Sequence, residues 1–229
     1  MTGSTLANRA TTDAPAVARG FEHVKRSWDP GYDRWTAKIL PGEYFVTRSD
    51  EAITTVLGSC IAACIRDPAV GIGGMNHFML PEDKSAGKSS WLEGPGALST
   101  RYGSYAMESL INELMKLGAH RERMEVKLFG GGRILSSMTD VGRKNIDFAR
   151  QFLKTEGIAI AAQDVGDVCP RRVVYFPTTG VAMLKRLPAI DAGEIARRET
   201  NYLSSLAAKP VDNDELIRKL REWISRSAA

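Results

Sequence analysis

Between residues 52 and 80 the chain reads AITTVLGSCIAACIRDPAVGIGGMNHFML. Short apolar runs, Ala52–Leu57, Ile61–Ile65 and 70–80, are separated by Gly58-Ser59 and by Asp67-Pro68. Apolar runs this short, bounded by turn formers, read as buried strands rather than helices. The glycines of the third run mark a bulge or a close backbone approach. Such a block commits the chain to a layered sheet structure and places a cysteine, Cys60, directly at a tight turn.

The flanking segments supply the rest of the layers. LPGEYFVT (40–47) reads as a turn followed by a strand. Tyr102, Ala106, Leu110, Leu114 and Leu117 recur at helical spacing, and Gly118 is a suitable stop. MEVKLFG (124–130) alternates like a strand. A second helix is predicted from about Arg143 to Glu156, with Ile146, Ala149, Phe152 and Leu153 on one face and Gly157 closing it. IAIAAQDVG is a further strand, and RRVVYFPTTGVAMLKRL is a hairpin turning at 177–180. Residues 190–206 form an amphipathic helix. Asp212 or Asn213 caps another, carrying Leu216, Ile217, Leu220, Trp223 and Ile224 on one stripe. Residues 1–20 are small and polar and read as a tail. Trp28, Tyr32 and Trp35 mark a segment that docks on the chain's own domain. The Gly/Pro-rich stretch 81–100, with Trp91 and Leu92, reads as a long loop bordering a functional site.

Composition narrows the classes of function. The 229 residues carry a formal charge of +4, with basic and acidic side chains intermixed. No basic stripe for nucleic acid results. No apolar run reaches the roughly 18 residues that span a bilayer. Three cysteines, Cys60, Cys64 and Cys169, are an odd and small number, which argues against a disulfide framework. These features read as a cytoplasmic protein with reduced thiols.

Cys60 follows Gly58-Ser59, and a turn there exposes backbone N–H groups beside the sulfur. Such donors stabilise a thiolate and, later, an oxyanion. His77 lies seventeen residues on. An antiparallel pair turning at Asp67-Pro68 brings its far ends together, and so brings His77 to Cys60. An imidazole there takes the thiol proton and yields an ion pair that is nucleophilic at neutral pH. A third group should hold the other ring nitrogen. Thr54 and Thr55 both stand on the incoming strand and point to opposite faces, so only one faces the site. A zinc reading fails on its ligand set: Cys60 and Cys64 in C-x3-C spacing, one histidine, and a distant Cys169. FGGGRIL lacks the phosphate-loop and dinucleotide patterns and reads as a structural turn beside the site, where glycines allow close backbone approach. No cofactor and no metal are expected.

These residues resemble a known family. LPGEYFVT, ITTVLGSCIAACIRDPAVGIGGMNHFMLP, RYGSYAMESLINELMKLGA, KLFGGGRIL, VGRKNIDFARQFL and DVGDVCPRRVVYFPTTGVAMLKR are similar, in that order, to the bacterial chemoreceptor glutamine deamidases of the CheD family. The resemblance covers about residues 39–187. It leaves 1–38 as an N-terminal extension and 188–229 as a C-terminal helical one. It implies an α+β fold, a layered α-β-β sandwich of mostly antiparallel strands with helices packed on one face. It implies hydrolysis of glutamine side-chain amides on methyl-accepting chemotaxis receptors, with Cys60 as nucleophile, His77 as base and Thr54, rather than Thr55, as third catalytic residue. Gly58 and Ser59 then adjoin the oxyanion site, and a CheC-type phosphatase is an implied partner. A non-catalytic adaptor and a small-molecule thiol amidase are the competing readings.

Overall fold

The computed structural model describes residues 13–80, 96–134 and 141–208. Its strands are β1 (Lys25–Asp29), β2 (Arg34–Lys38), β3 (Tyr44–Thr47), β4 (Ala52–Leu57), β5 (Ile61–Asp67), β6 (Ile72–Asn76), β7 (Glu125–Gly130), β8 (Ala159–Val165), β9 (Arg171–Phe176) and β10 (Val181–Arg186). Its helices are α1 (Gly96–Lys116), α2 (Val141–Thr155) and α3 (Ala189–Ala208). The strands form two five-stranded sheets, ordered β1-β2-β4-β9-β10 and β3-β6-β5-β7-β8. Pairing is antiparallel except for β2 with β4 and β7 with β8. The fold is α+β, as expected.

Burial patterns give the layer order. Every residue of β6 is buried, and so is every residue of β5 but Arg66. Their second sheet is therefore covered on both faces, which is why IAACI carries no polar alternation. On one face, α1 packs against β3, β5 and β6, and α2 against β5 and β8. On the other, Ala62, Cys64, Met75 and Phe129 share one apolar core with Ile53, Leu57, Val173 and Tyr175 of the first sheet. β1 and β10, at the edges of that first sheet, have no fully buried residue.

Residues 25–38, set apart from the domain by sequence similarity, pair into the first sheet as β1 and β2. Trp28 and Trp35 face each other across that hairpin, edge to face, at 6.5 Å. α1 ends where Gly118 adopts φ 106°, a left-handed value that lets the Ala119 amide turn back to the Leu114 carbonyl. The loop with Trp91 and Leu92 and the stripe from Leu216 to Ile224 lie outside the described residues.

Two ion pairs, each with one fully buried partner, tie elements together. Arg171, fully buried at the start of β9, reaches Asp164 and the Gly166 carbonyl on the β8 side, and so stitches the two sheets. Asp67, buried at the β5–β6 turn, accepts both prongs of Arg123 at 3.0 and 2.6 Å, together with the His120 amide. Replacing Arg171 with methionine removes the donor to the Asp164 and Gly166 carbonyls and leaves the Asp164 carboxylate with Arg186 alone. The expected cost is about 2–3 kcal/mol, below the usual range for a broken buried pair because Asp164 is a third exposed. Urea unfolding of the variant measures it.

Candidate active site

The site lies where the chain leaves the first sheet at the end of β4 and enters the second at the start of β5. Along β4 the inward side chains are Ile53, Thr55 and Leu57, while Thr54 and Val56 face outward and are only half-buried. Gly58, Ser59 and Cys60 then cross between the sheets. Their three successive carbonyls are each held: Gly58 by the Gly132 amide at 2.7 Å, Ser59 by Asn145 Nδ2 at 2.8 Å, and Cys60 by the Gly131 amide at 2.7 Å. With the Gly58 and Ser59 carbonyls drawn one way, the Ser59 and Cys60 N–H groups turn the other way, where they meet that of Gly58 at a common point. This is a backbone nest of the kind that binds anions.

The glycines of FGGGRIL serve this arrangement, as expected. Gly130 has φ 107°, and a β-carbon there would overlap the Cys60 carbonyl oxygen. Asn145, buried on α2, also accepts the Leu80 amide at 2.9 Å and so braces the turn from the helix side.

Register brings the histidine. Cys64 pairs with Met75, and the ladder continues to Ile61 with Phe78, each donating to the other's carbonyl at 2.9 Å. In that register His77 stands opposite Ala62 and shares a face with Cys60, one diagonal step away. The Cys60 sulfur, a His77 ring nitrogen and a carboxylate oxygen of Glu199 lie within 4.8 Å of one another.

The third residue is corrected. Thr54 donates its hydroxyl to the Val173 carbonyl at 2.9 Å, on the outward face of β4. Thr55 meets the ring, its Oγ1 2.7 Å from His77 Nδ1. Strand alternation decides this: with Ile53 and Leu57 in the core, Thr55 must also point in. The Thr55 hydroxyl gives its own proton to the Ile39 carbonyl at 2.8 Å. It can then only accept from the ring, so Nδ1 carries the hydrogen and Nε2 holds a lone pair. Nε2 is buried and makes no hydrogen bond among the described residues.

Glu199, on α3, is the residue that sequence reasoning missed. Its Oε1 accepts the Gly58 and Cys60 amides at 2.9 and 3.2 Å. Its Oε2 accepts the Ser59 amide and hydroxyl at 2.8 and 2.6 Å. The carboxylate fills the nest. A signal existed: Ile195, Glu199 and Leu203 make one buried stripe at spacings of four, and a carboxylate inside such a stripe needs donors from the surface it covers. Asn145, between Val141, Ile146 and Ala149 on the buried face of α2, carried the same signal.

Electrostatics here oppose the expected ion pair. Burial, reinforced by the Glu199 charge, pushes the Cys60 thiol well above its usual range. Burial pulls His77 down to about 4, with the Glu199 charge acting the other way. Thiol and imidazole are both neutral at pH 7 in this arrangement.

A thiol beside an imidazole, the imidazole held by a hydroxyl and the thiol flanked by convergent N–H donors, is the arrangement that thiol hydrolases use. Comparison with known proteins gives the family. Residues 79–186 match the sequence model described as "CheD chemotactic sensory transduction". A protein of Halorhodospira halophila is 47% identical over 90% of this chain and 95% of its own length. One of Hydrogenovibrio crunogenus is 51% identical over 83% of this chain and 98% of its own. Both are named probable chemoreceptor glutamine deamidase CheD. The chain belongs to the CheD family, whose curated relatives are named as amide-hydrolysing enzymes. Solved structures resemble it weakly, for example a Neisseria meningitidis protein at TM-score 0.35 and 12% identity, covering 56% of this chain and 54% of its own.

The imidazole makes stability pH-dependent. Above pH 6.5, the ordinary imidazole value, His77 is neutral folded and unfolded alike. As pH falls toward about 4, the unfolded chain binds a proton that the buried ring refuses. Stability is therefore lost over that window, by up to roughly 3 kcal/mol. A His77→Gln variant lacks this component, and paired denaturant titrations across the window measure the difference.

Proposed function

We propose that this chain is a cysteine-dependent protein-glutamine deamidase acting on methyl-accepting chemotaxis receptors, with Cys60 as nucleophile and His77 as general base and acid. The observation that carries the reading is the convergence of a thiol, a bare imidazole nitrogen and three backbone N–H groups on one point. Family membership supports the choice of amide substrate.

The residues divide the chemistry as follows. His77 Nε2 takes the Cys60 proton as the sulfur adds to the glutamine Cδ. The N–H groups of Gly58, Ser59 and Cys60 receive the charge that develops on the amide oxygen; one such donor is worth about 10²–10³ in rate. The imidazolium returns the proton to the departing ammonia, and a thioester remains. Neutral His77 then activates water, which releases glutamate and restores the thiol. Thr55 fixes the tautomer throughout, since only a ring protonated at Nδ1 presents Nε2 to the sulfur. A hydroxyl orienter stabilises the imidazolium less than a carboxylate would, and proton transfer that accompanies attack suits a neutral resting pair. Asn145 and the 130–132 glycines position the donors. The reading includes a cytoplasmic location, where Cys60 stays reduced, and a CheC-type phosphatase as a binding partner.

Co-expression of a chemoreceptor with the wild type, followed by mass spectrometry, is the test. Specific glutamines gain about 1 Da through replacement of the amide by a carboxylate. Cys60→Ala and His77→Ala abolish the gain while both chains remain folded by circular dichroism. Binding with no mass change in the wild type would instead leave an adaptor. Thr55→Val lowers kcat/KM by about 10–100-fold through loss of ring orientation, whereas Thr54→Val stays within about twofold. Steady-state kinetics on a receptor fragment compare the two.

A further inference from the structure

Glu199 stands where the substrate should. Under the proposed function, the product of the reaction is a carboxylate on a two-methylene stem, left in the nest beside Cys60 and His77. Glu199 is such a group, placed on the Gly58, Ser59 and Cys60 amides. It arrives on a helix, as a side chain of a receptor helix would.

The rest of α3 completes the seat. Ile195 and Leu203, one turn before and one turn after Glu199, are both buried. The Tyr202 hydroxyl meets that of Tyr102, and its ring covers Gly42, where a β-carbon would lie 2.6 Å from the Tyr202 oxygen. Gly58 has no room for a side chain between Ile134 and Glu199. With α3 in this place Cys60 has no exposed surface, so no external side chain reaches it.

A metal-ligand role for Cys60, His77 and Glu199 suits the same atoms less well. Both Glu199 oxygens are already taken by four N–H and O–H donors, which is how a protein holds an anion rather than how it presents a ligand to a cation.

We propose that α3 is an internal product analogue seated in the substrate groove, so that a receptor helix reaches Cys60 only after α3 leaves. This rests on the deamidase reading, and it assigns a regulatory function to the C-terminal helix. The groove takes a helix whose target side chain is flanked four residues to either side by aliphatic groups, as Glu199 is by Ile195 and Leu203.

Substitution turns the analogue into a substrate. In Glu199→Gln the side chain keeps the size of the native one, but its NH2 cannot accept from the nest, so the amide oxygen takes the N–H groups and the NH2 turns toward His77 Nε2. The Cys60 sulfur adds to Cδ of that introduced amide, the C–N bond breaks, and ammonia leaves with the proton from His77. Water then cleaves the thioester, so that each chain consumes one water, releases one ammonia and regains a glutamate. Purified full-length Glu199→Gln should therefore gain about 1 Da at residue 199 and revert to the wild-type sequence, whereas the Cys60→Ala/Glu199→Gln double variant keeps its amide.

Two further measurements separate this proposal from the reading beneath it. Glu199→Ala should raise iodoacetamide labelling of Cys60 roughly tenfold or more, together with the rate of receptor glutamine conversion. Tyr202→Ala, which loosens α3 without touching the nest, should move labelling the same way. If Glu199→Gln keeps its mass, or if Glu199→Ala labels no faster than the wild type, the α3 proposal is overturned, while Cys60-dependent receptor conversion by the wild type leaves the deamidase reading standing. If no variant converts any receptor glutamine, the deamidase reading falls, and labelling alone still decides whether α3 covers the thiol.

Discussion

The crossing of the chain from one sheet to the other at Gly58-Ser59-Cys60 is the constraint on which the rest depends. Three consecutive carbonyls are bound from outside the turn, by Gly132, Asn145 and Gly131. Since each C=O points opposite to the N–H of the following residue, fixing the Gly58 and Ser59 carbonyls also fixes the direction of the Ser59 and Cys60 amides. The same residues that bury the turn without unsatisfied backbone therefore build a site for negative charge beside a sulfur. Structure and chemistry share one set of hydrogen bonds, so the glycines of 130–132 matter equally for the fold and for the site.

The resting electrostatics follow from what fills that nest. A buried carboxylate is costly unless fully hydrogen-bonded, and Glu199 has four donors, each charge-assisted bond contributing about 1.5–3 kcal/mol. The same negative charge disfavours a thiolate at Cys60. A site organised to stabilise one anion thus holds its nucleophile neutral while another anion occupies it. An activated ion pair and a seated Glu199 are alternatives for a single patch of positive potential, which makes the position of α3 a chemical variable as well as a structural one.

Much of the layering was legible in the residues. IAACI had to be buried on both faces because it carries no polar alternation, and it lies between helices and the facing sheet. The turn at Asp67-Pro68 fixed an antiparallel pair, and the pair's register carried His77 to Cys60. The choice between Thr54 and Thr55 was less legible. Similarity to the family indicated Thr54, while the alternation of β4 turns Thr55 inward beside Leu57 and Ile53 and sends Thr54 to Val173. Counting back from Cys60 cannot resolve this, because the Gly58-Ser59 turn resets the parity of the strand.

By itself, then, the sequence determined the elements, the antiparallel pairing and the nearness of thiol and imidazole, since periodicity, turn chemistry and register are properties of neighbours along the chain. Only the tertiary structure decided which threonine meets the ring, which side chains pin the turn, and that a glutamate from residue 199 fills the nest. The last two outcomes depend on segments some 80 to 140 residues apart meeting at one place. No local pattern encodes that meeting, because the donors Glu199 satisfies become a site only once the sheets and helices have packed around them.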